Sequence, residues 1–217
     1  MKFSIAILAA LAATALTHAD RAEAGTVTLN YEVPGSAYGA EGWYTGIRQT
    51  IDDRGAPIGR TYRGTAGAFR FTDGISAIMA FCIDPYRYLH IGEAFTVTEN
   101  ASVLENVDKL FTSSFADVTN AITASAFQVA LWEVVSETAA TYDVTEGNHY
   151  VANAAVGAQA QTFLDRISSA STGGYSYTLY SNNGQDQISA TPVPLPASAL
   201  LLLGGLAGLG VMRRKRG

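Results

Sequence analysis

The chain has 217 residues, 48% of them hydrophobic, with 14 Lys+Arg against 19 Asp+Glu and a net charge of −5. Setting aside the first 24 residues, which hold two bases and two acids, and the four bases at the far end leaves 8 bases and 17 acids, a net charge of −9. A segment of that length can bury a core as one domain, and its acidity argues against nucleic-acid phosphate or anionic lipid as a partner.

Residues 1–24 open with Met1-Lys2, continue through an apolar run from Ile5 to Leu16, and end in Ala22-Glu23-Ala24. A basic start, a short apolar stretch and small residues at a cleavage position are the pattern of a secretory signal peptide. Thr17-His18-Ala19 offers a second cleavage position, and an uncleaved anchor is the alternative reading.

The segment 25–191 reads as strands, then helices, then strands. Thr26 to Val33 alternates around Val27, Leu29 and Tyr31, and further strands are expected over Tyr44 to Asp52, Thr61 to Phe71, Ile75 to Ile83 and Ala94 to Thr98. The period then changes. Ser102 to Glu105 has the form of a capping box ahead of Val107, Leu110 and Phe111. Ser113-Ser114 suits the cap of a longer helix from Phe115 to about Ser136. Tyr142 to Val144 reads as a short extended piece. Val156, Ala160, Phe163, Leu164 and Ile167 mark a third helix, and Tyr175 to Tyr180 with Gln185 to Ser189 a closing hairpin over Asn182-Asn183-Gly184. The fold class expected is α+β: an antiparallel β-sandwich or barrel-like sheet with a helical insertion, flanked by an N-terminal signal helix and a C-terminal transmembrane sorting helix.

Residues 192–217 have three parts in order: Val193-Pro194-Leu195-Pro196-Ala197, an apolar run to Met212, and the cluster Arg213, Arg214, Lys215, Arg216. The basic end should stay cytoplasmic, which leaves the middle of the chain outside. As a helix the apolar run would measure about 24 Å against about 30 Å of hydrocarbon, short enough to suit a transient stop. This tail resembles the VPLPA variant of the PEP-CTERM sorting signal of Gram-negative bacteria that make exopolysaccharide. The resemblance implies recognition by an exosortase, a membrane protease-transpeptidase, with cleavage near the Pro motif. A plain tail anchor in the inner membrane is the alternative.

Cys82 is the only cysteine, and it stands in the strand-like run Met79 to Pro85. An exported protein normally pairs its cysteines or lacks them. Gln128 is the second oddity. On the helix "AFQVALWEVVSE", Leu131, Trp132 and Val135 share its face, and Phe127, Ala130 and Val134 make the next face apolar. A helix apolar all round is buried, so Gln128 must satisfy an amide in the interior, at about 1–3 kcal/mol if it fails. A thioester between the Cys82 sulfur and the Gln128 side-chain carbonyl, with loss of ammonia, resolves both. Phe81, Trp132 and Tyr86 are candidates to shield it. The alternatives are an inert buried thiol beside a Gln128 bonded to backbone, half of an intermolecular disulfide, and a Cys82–His90 hydrolase.

Phe81-Cys82-Ile83-Asp84 and Gln128-Val129-Ala130-Leu131-Trp132 resemble the bacterial Cys-Gln thioester-forming adhesin domains. In that family the cysteine lies on a strand and the glutamine on a later helix of a β-sandwich with a helical insertion. Many members have Thr before the glutamine, where this chain has Phe127. The "GQDQIS" segment at Gly184 to Ser189 also resembles domains of other PEP-CTERM proteins. The resemblance implies a non-enzymatic surface protein that attaches once, covalently, to an amine or hydroxyl of a protein or polysaccharide. The alternative is a non-covalent structural or carbohydrate-binding component of the exopolysaccharide or biofilm matrix. No cofactor is implied. No nucleophile elbow, Walker loop, dinucleotide fingerprint or zinc spacing is present. Asp84-Pro85 suits a strand-ending turn.

Overall fold

A computed structural model describes residues 24–39, 43–51, 60–85, 87–137, 141–146 and 149–194. The expected signal helix, most of the sorting segment and Tyr86 lie outside these residues.

The described chain is α+β. Ten strands run in the order β1 (Ala24–Thr28), β2 (Asn30–Tyr31), β3 (Tyr44–Ile51), β4 (Arg60–Gly67), β5 (Phe69–Thr72), β6 (Ala77–Cys82), β7 (Ala94–Thr98), β8 (His149–Val151), β9 (Tyr175–Ser181) and β10 (Gln187–Pro192). Three helices lie between β7 and β9: α1 (Glu105–Ser114), α2 (Ala121–Ser136) and α3 (Ala154–Asp165). Seven strands form one sheet in the order β1-β7-β9-β10-β6-β5-β2, curled into a nearly closed barrel. The other three form the sheet β4-β3-β8. Every pairing is antiparallel.

At the end of β6 residues of both faces are buried, Ala80 and Cys82 on one and Phe81 on the other, whereas β7 alternates, with Phe95 buried between exposed Ala94 and Thr96. One face carries Leu29, Phe71, Ala80, Phe95 and Tyr180, all buried, as the barrel interior. Phe81, Ile188 and Tyr177 point the other way and meet Phe111, Phe127 and Phe163 of the helices. Rings pack closely there, Phe81–Phe127 tilted at 4.9 Å and Phe111–Phe127 edge to face at 4.9 Å between centroids.

Several local expectations are corrected. The strand expected over Thr61 to Phe71 is two strands in two sheets, broken at Ala68, whose N–H donates to the Trp43 carbonyl (3.0 Å) as a last rung in the β3–β4 register before the chain crosses to the other sheet. Ser102 does not cap α1. Ala101 N–H is tied to the Tyr177 carbonyl (3.0 Å), which holds the chain extended, and the helix begins only after Leu104, without a side-chain cap. The second helix starts at Ala121, not Phe115, because Asn120 is the stronger cap. Its Oδ1 accepts from Ile122 and Thr123 N–H (2.9 and 3.0 Å), and Thr123 Oγ1 accepts the Asn120 N–H (3.1 Å). Tyr142 to Val144 leads into a turn. The strand is His149–Val151, paired with β3. The closing hairpin is present, but residues 182–186 form its connection and β10 starts at Gln187.

Candidate functional site at the end of strand β6

Cys82 is the last residue of β6 and is fully buried. The register of β5 on β6 sets Phe69 against Ala80 and would set Gly67 against Cys82. That place is vacated when the chain leaves for the other sheet at Ala68. Gly67 has no room for a side chain there, since a Cβ would press on the Trp43 carbonyl and lie 2.7 Å from Tyr44 Cα. Cys82 therefore ends on a sheet edge with a buried N–H and C=O and no strand to meet them.

Gln128 fills the vacancy. Cys82 N–H donates to Gln128 Oε1 (2.9 Å), and Gln128 Nε2 donates to the Cys82 carbonyl (2.8 Å). The side-chain amide acts as one residue of the missing strand. Helix α2 is apolar on all sides because it crosses this edge inside the core, and Gln128 is 0% exposed.

The sulfur has its own surroundings. The Trp132 indole, one turn after Gln128, and the Asp84 main-chain N–H both act to favour the thiolate. Burial outweighs both, so the thiol pKa is pushed far up, with the charges of Asp84 and Asp186 adding to the rise. The thiol is protonated at neutral pH. Strand alternation places it on the face of Tyr180 and Gln187, away from Phe81. Phe81 thus walls the site on the helix side, through Phe127 and Phe115 (6.0 Å between centroids), and does not cover the sulfur directly. Tyr38 stacks at 5.1 Å on Phe69, the cross-strand partner of Ala80.

Asp84 opens the expected turn, accepting Arg87 N–H (3.4 Å) at its carbonyl and pairing with Arg87 Nε at 3.1 Å. The loop after β6 is pinned to the hairpin connection by Gln185 N–H to the Tyr88 carbonyl (2.9 Å) and Arg87 Nη1 to the Asn183 carbonyl (3.3 Å). His90 faces Glu93 at the surface (3.6 Å). It is nearly half exposed, so it is not set up as the base for a fully buried thiol. Among the described residues no group of three or more His, Cys, Asp or Glu could hold a metal, and no helix is long and apolar enough to cross a membrane.

Gln187, inside the GQDQIS segment, is a neighbour of Cys82 that the sequence reading did not place at the site. Gln187 is fully buried and is the cross-strand partner of Cys82. The one available signal was strand alternation, which sets it on the face of Tyr180. Val193 and Pro194 of the expected sorting motif follow β10 directly and are exposed, with Val193 N–H donating to the Gly174 carbonyl (3.0 Å). Leu195, Pro196, Ala197 and the basic cluster Arg213, Arg214, Lys215, Arg216 lie outside the described residues.

Chemically, the arrangement brings together a nucleophile, an acyl carbon and a donor. The N–H on Gln128 Oε1 polarises the amide carbonyl and is placed to stabilise charge on that oxygen during addition. Comparison with protein-family models, curated proteins and solved structures finds no match to this chain.

Proposed function

We infer that this is an exported, exosortase-sorted surface or matrix protein whose domain carries a Cys82–Gln128 thioester for a single covalent attachment to an amine or hydroxyl of a partner. The observation that carries the reading is the pairing of the Gln128 carboxamide with the main chain of Cys82, both residues fully buried. The Cys82 thiol adds to the Gln128 carbonyl carbon and ammonia leaves. A partner nucleophile then takes the acyl group and Cys82 is released as a thiol. Such a protein is consumed by its reaction and does not turn over.

Intact mass of the purified protein, beside Cys82→Ala and Gln128→Ala, tests this. The wild type should be lighter than its sequence by one ammonia, both variants should have full mass, and a small amine should add to the wild type alone. A wild type at full mass in fresh, amine-free material, without adduct, ends the thioester reading. For the sorting step, the mature protein should end near Val193 to Ala197, and changing Pro194 and Pro196 together to Ala should leave the tail attached.

One observation favours a second reading. Both ends of the Gln128 amide are already satisfied by main-chain groups, as in a purely structural clamp beside an inert thiol. The protein is then a non-covalent structural or carbohydrate-binding matrix component, and the same mass measurement separates the two.

A further inference from the structure

Val27, Ile78 and Val97 each lie two places along the chain from a buried residue of the barrel interior, so their side chains point the same way, one layer further out. With Thr178 and Tyr180 of β9 they line a cleft of about 370 Å³ where the curled sheet opens at one end. That volume is within the range of small-molecule sites, and barrel mouths are a common place for them. Tyr180 is the one buried residue of this lining, 7% exposed. Its oxygen accepts from the Ser189 hydroxyl (3.4 Å), and no acceptor among the described residues takes its own proton.

Two carboxylates complete the lining, Asp73 from the β5–β6 turn and Glu99 from the position after β7. Asp73 Oδ1 accepts the Ser76 and Ile75 N–H groups (2.7 and 2.8 Å), which hold its carboxyl below the usual carboxylate range, so it is charged at neutral pH. Neither acid is in an ion pair among the described residues, and no Lys, Arg or His lines the cleft.

Two negative charges with no cation of the protein to meet them suit a ligand that brings its own positive charge. The uncommitted Tyr180 proton and the Thr178 hydroxyl call for ligand oxygens as well. A lysine side chain has the charge but lacks those oxygens. A sugar ring has them, together with a C–H face to lie against the aliphatic wall. The net charge of −9 favours the approach of a cationic chain.

We propose that this barrel mouth binds an amino sugar of a polysaccharide, with Asp73 and Glu99 holding the ammonium and the Tyr180 hydroxyl donating to a sugar oxygen. The proposal rests on the carbohydrate-binding reading, to which it gives a site and a ligand class, and it needs no bond at Cys82.

The test is an NMR titration of the purified protein at about pH 6, where amine and carboxylates all carry their charge. The probes are the disaccharides of glucosamine, N-acetylglucosamine and glucose. The glucosamine disaccharide should bind at least about tenfold tighter than the two uncharged ones. Asp73→Asn combined with Glu99→Gln should bring its affinity down to theirs. Asparagine keeps an Oδ1 for the Ile75 and Ser76 N–H groups, so the turn survives the change. Tyr180→Phe should weaken binding several-fold. Equal affinity for the three sugars, or unchanged affinity in the double variant, overturns the site, and unchanged affinity in Tyr180→Phe overturns the role of that hydroxyl. Retention of the wild type on chitosan, chitin and cellulose beads reads the wider question separately. A protein that binds none of the disaccharides but is retained on any of the beads refutes this site alone. One retained on none refutes the carbohydrate-binding reading with it.

Discussion

The side-chain amide of Gln128 stands where a strand residue would stand opposite Cys82, bonded to the N–H and the carbonyl of the same residue. A helix thereby completes a sheet edge that the chain itself abandons at Ala68. The acyl carbon that a thioester needs is carried into the site by a contact that also stabilises the fold.

That double duty is measurable without any internal bond. In a Cys82→Ala background, Gln128→Ala leaves a buried N–H and C=O unmet, at about 1–3 kcal/mol each. The expected loss is about 2–4 kcal/mol, read as a lower denaturant midpoint at unchanged slope. A change under about 0.5 kcal/mol would mean that water or a backbone shift meets those groups.

The strand switch depends on Gly67. A methyl group there would press on the Trp43 carbonyl and approach Tyr44 Cα at 2.7 Å, backbone atoms that yield only if the β3–β4 pair moves. Gly67→Ala should destabilise by about 1–3 kcal/mol. In the wild-type background it should also slow bond formation, measured by mass, because the edge that presents Cys82 shifts with it.

Burial and the raised pKa of Cys82 predict a thiol that reagents do not reach. Native Gln128→Ala protein keeps that thiol free. It should resist iodoacetamide from about pH 7 to pH 9 and react fully once unfolded. Fast labelling of the native variant would show that the loop after β6 opens readily.

Glu133 lies one residue beyond Trp132, 1% exposed, with Oε1 accepting the Asp143 N–H (3.0 Å) and Oε2 unmet. Burial pushes its pKa up from 4.5 to about 8. The Asp143 N–H opposes the rise, and the Glu137 and Asp143 charges add to it. The folded state thus holds a proton that the unfolded state has released. Its contribution is whole below about pH 4.5 and is lost as pH rises through about 8. Glu133→Gln should flatten that decline, gaining at least about 1.4 kcal/mol over wild type at about pH 9, the value of one pKa unit. Parallel stability curves for the two proteins would contradict it.

Much of the architecture was legible because local periodicity and burial agree. Ala94–Thr98 was expected with its observed bounds, α3 through its apolar stripe, and α2 as a buried helix by being apolar all round. Helix starts were not, because capping is a competition. Ser102 has the right spacing, but Ala101 is already bonded to β9, and Asn120 with Thr123 outcompetes Ser113-Ser114.

By itself the sequence determined an acidic domain with one thiol, an apolar helix bearing a single glutamine, and a tail of Pro motif, apolar run and basic end. These rest on composition and on periods of two and 3.6, which a chain carries before it folds. Only the tertiary structure decided that Gln128 meets the main chain of Cys82, that Phe81 turns away from the sulfur, and that Gln187 stands across the strands from Cys82. Those relations follow from strand register and from the switch of sheets at Ala68. They join residues far apart in the chain, where pairing is settled by which buried polar groups still lack a partner.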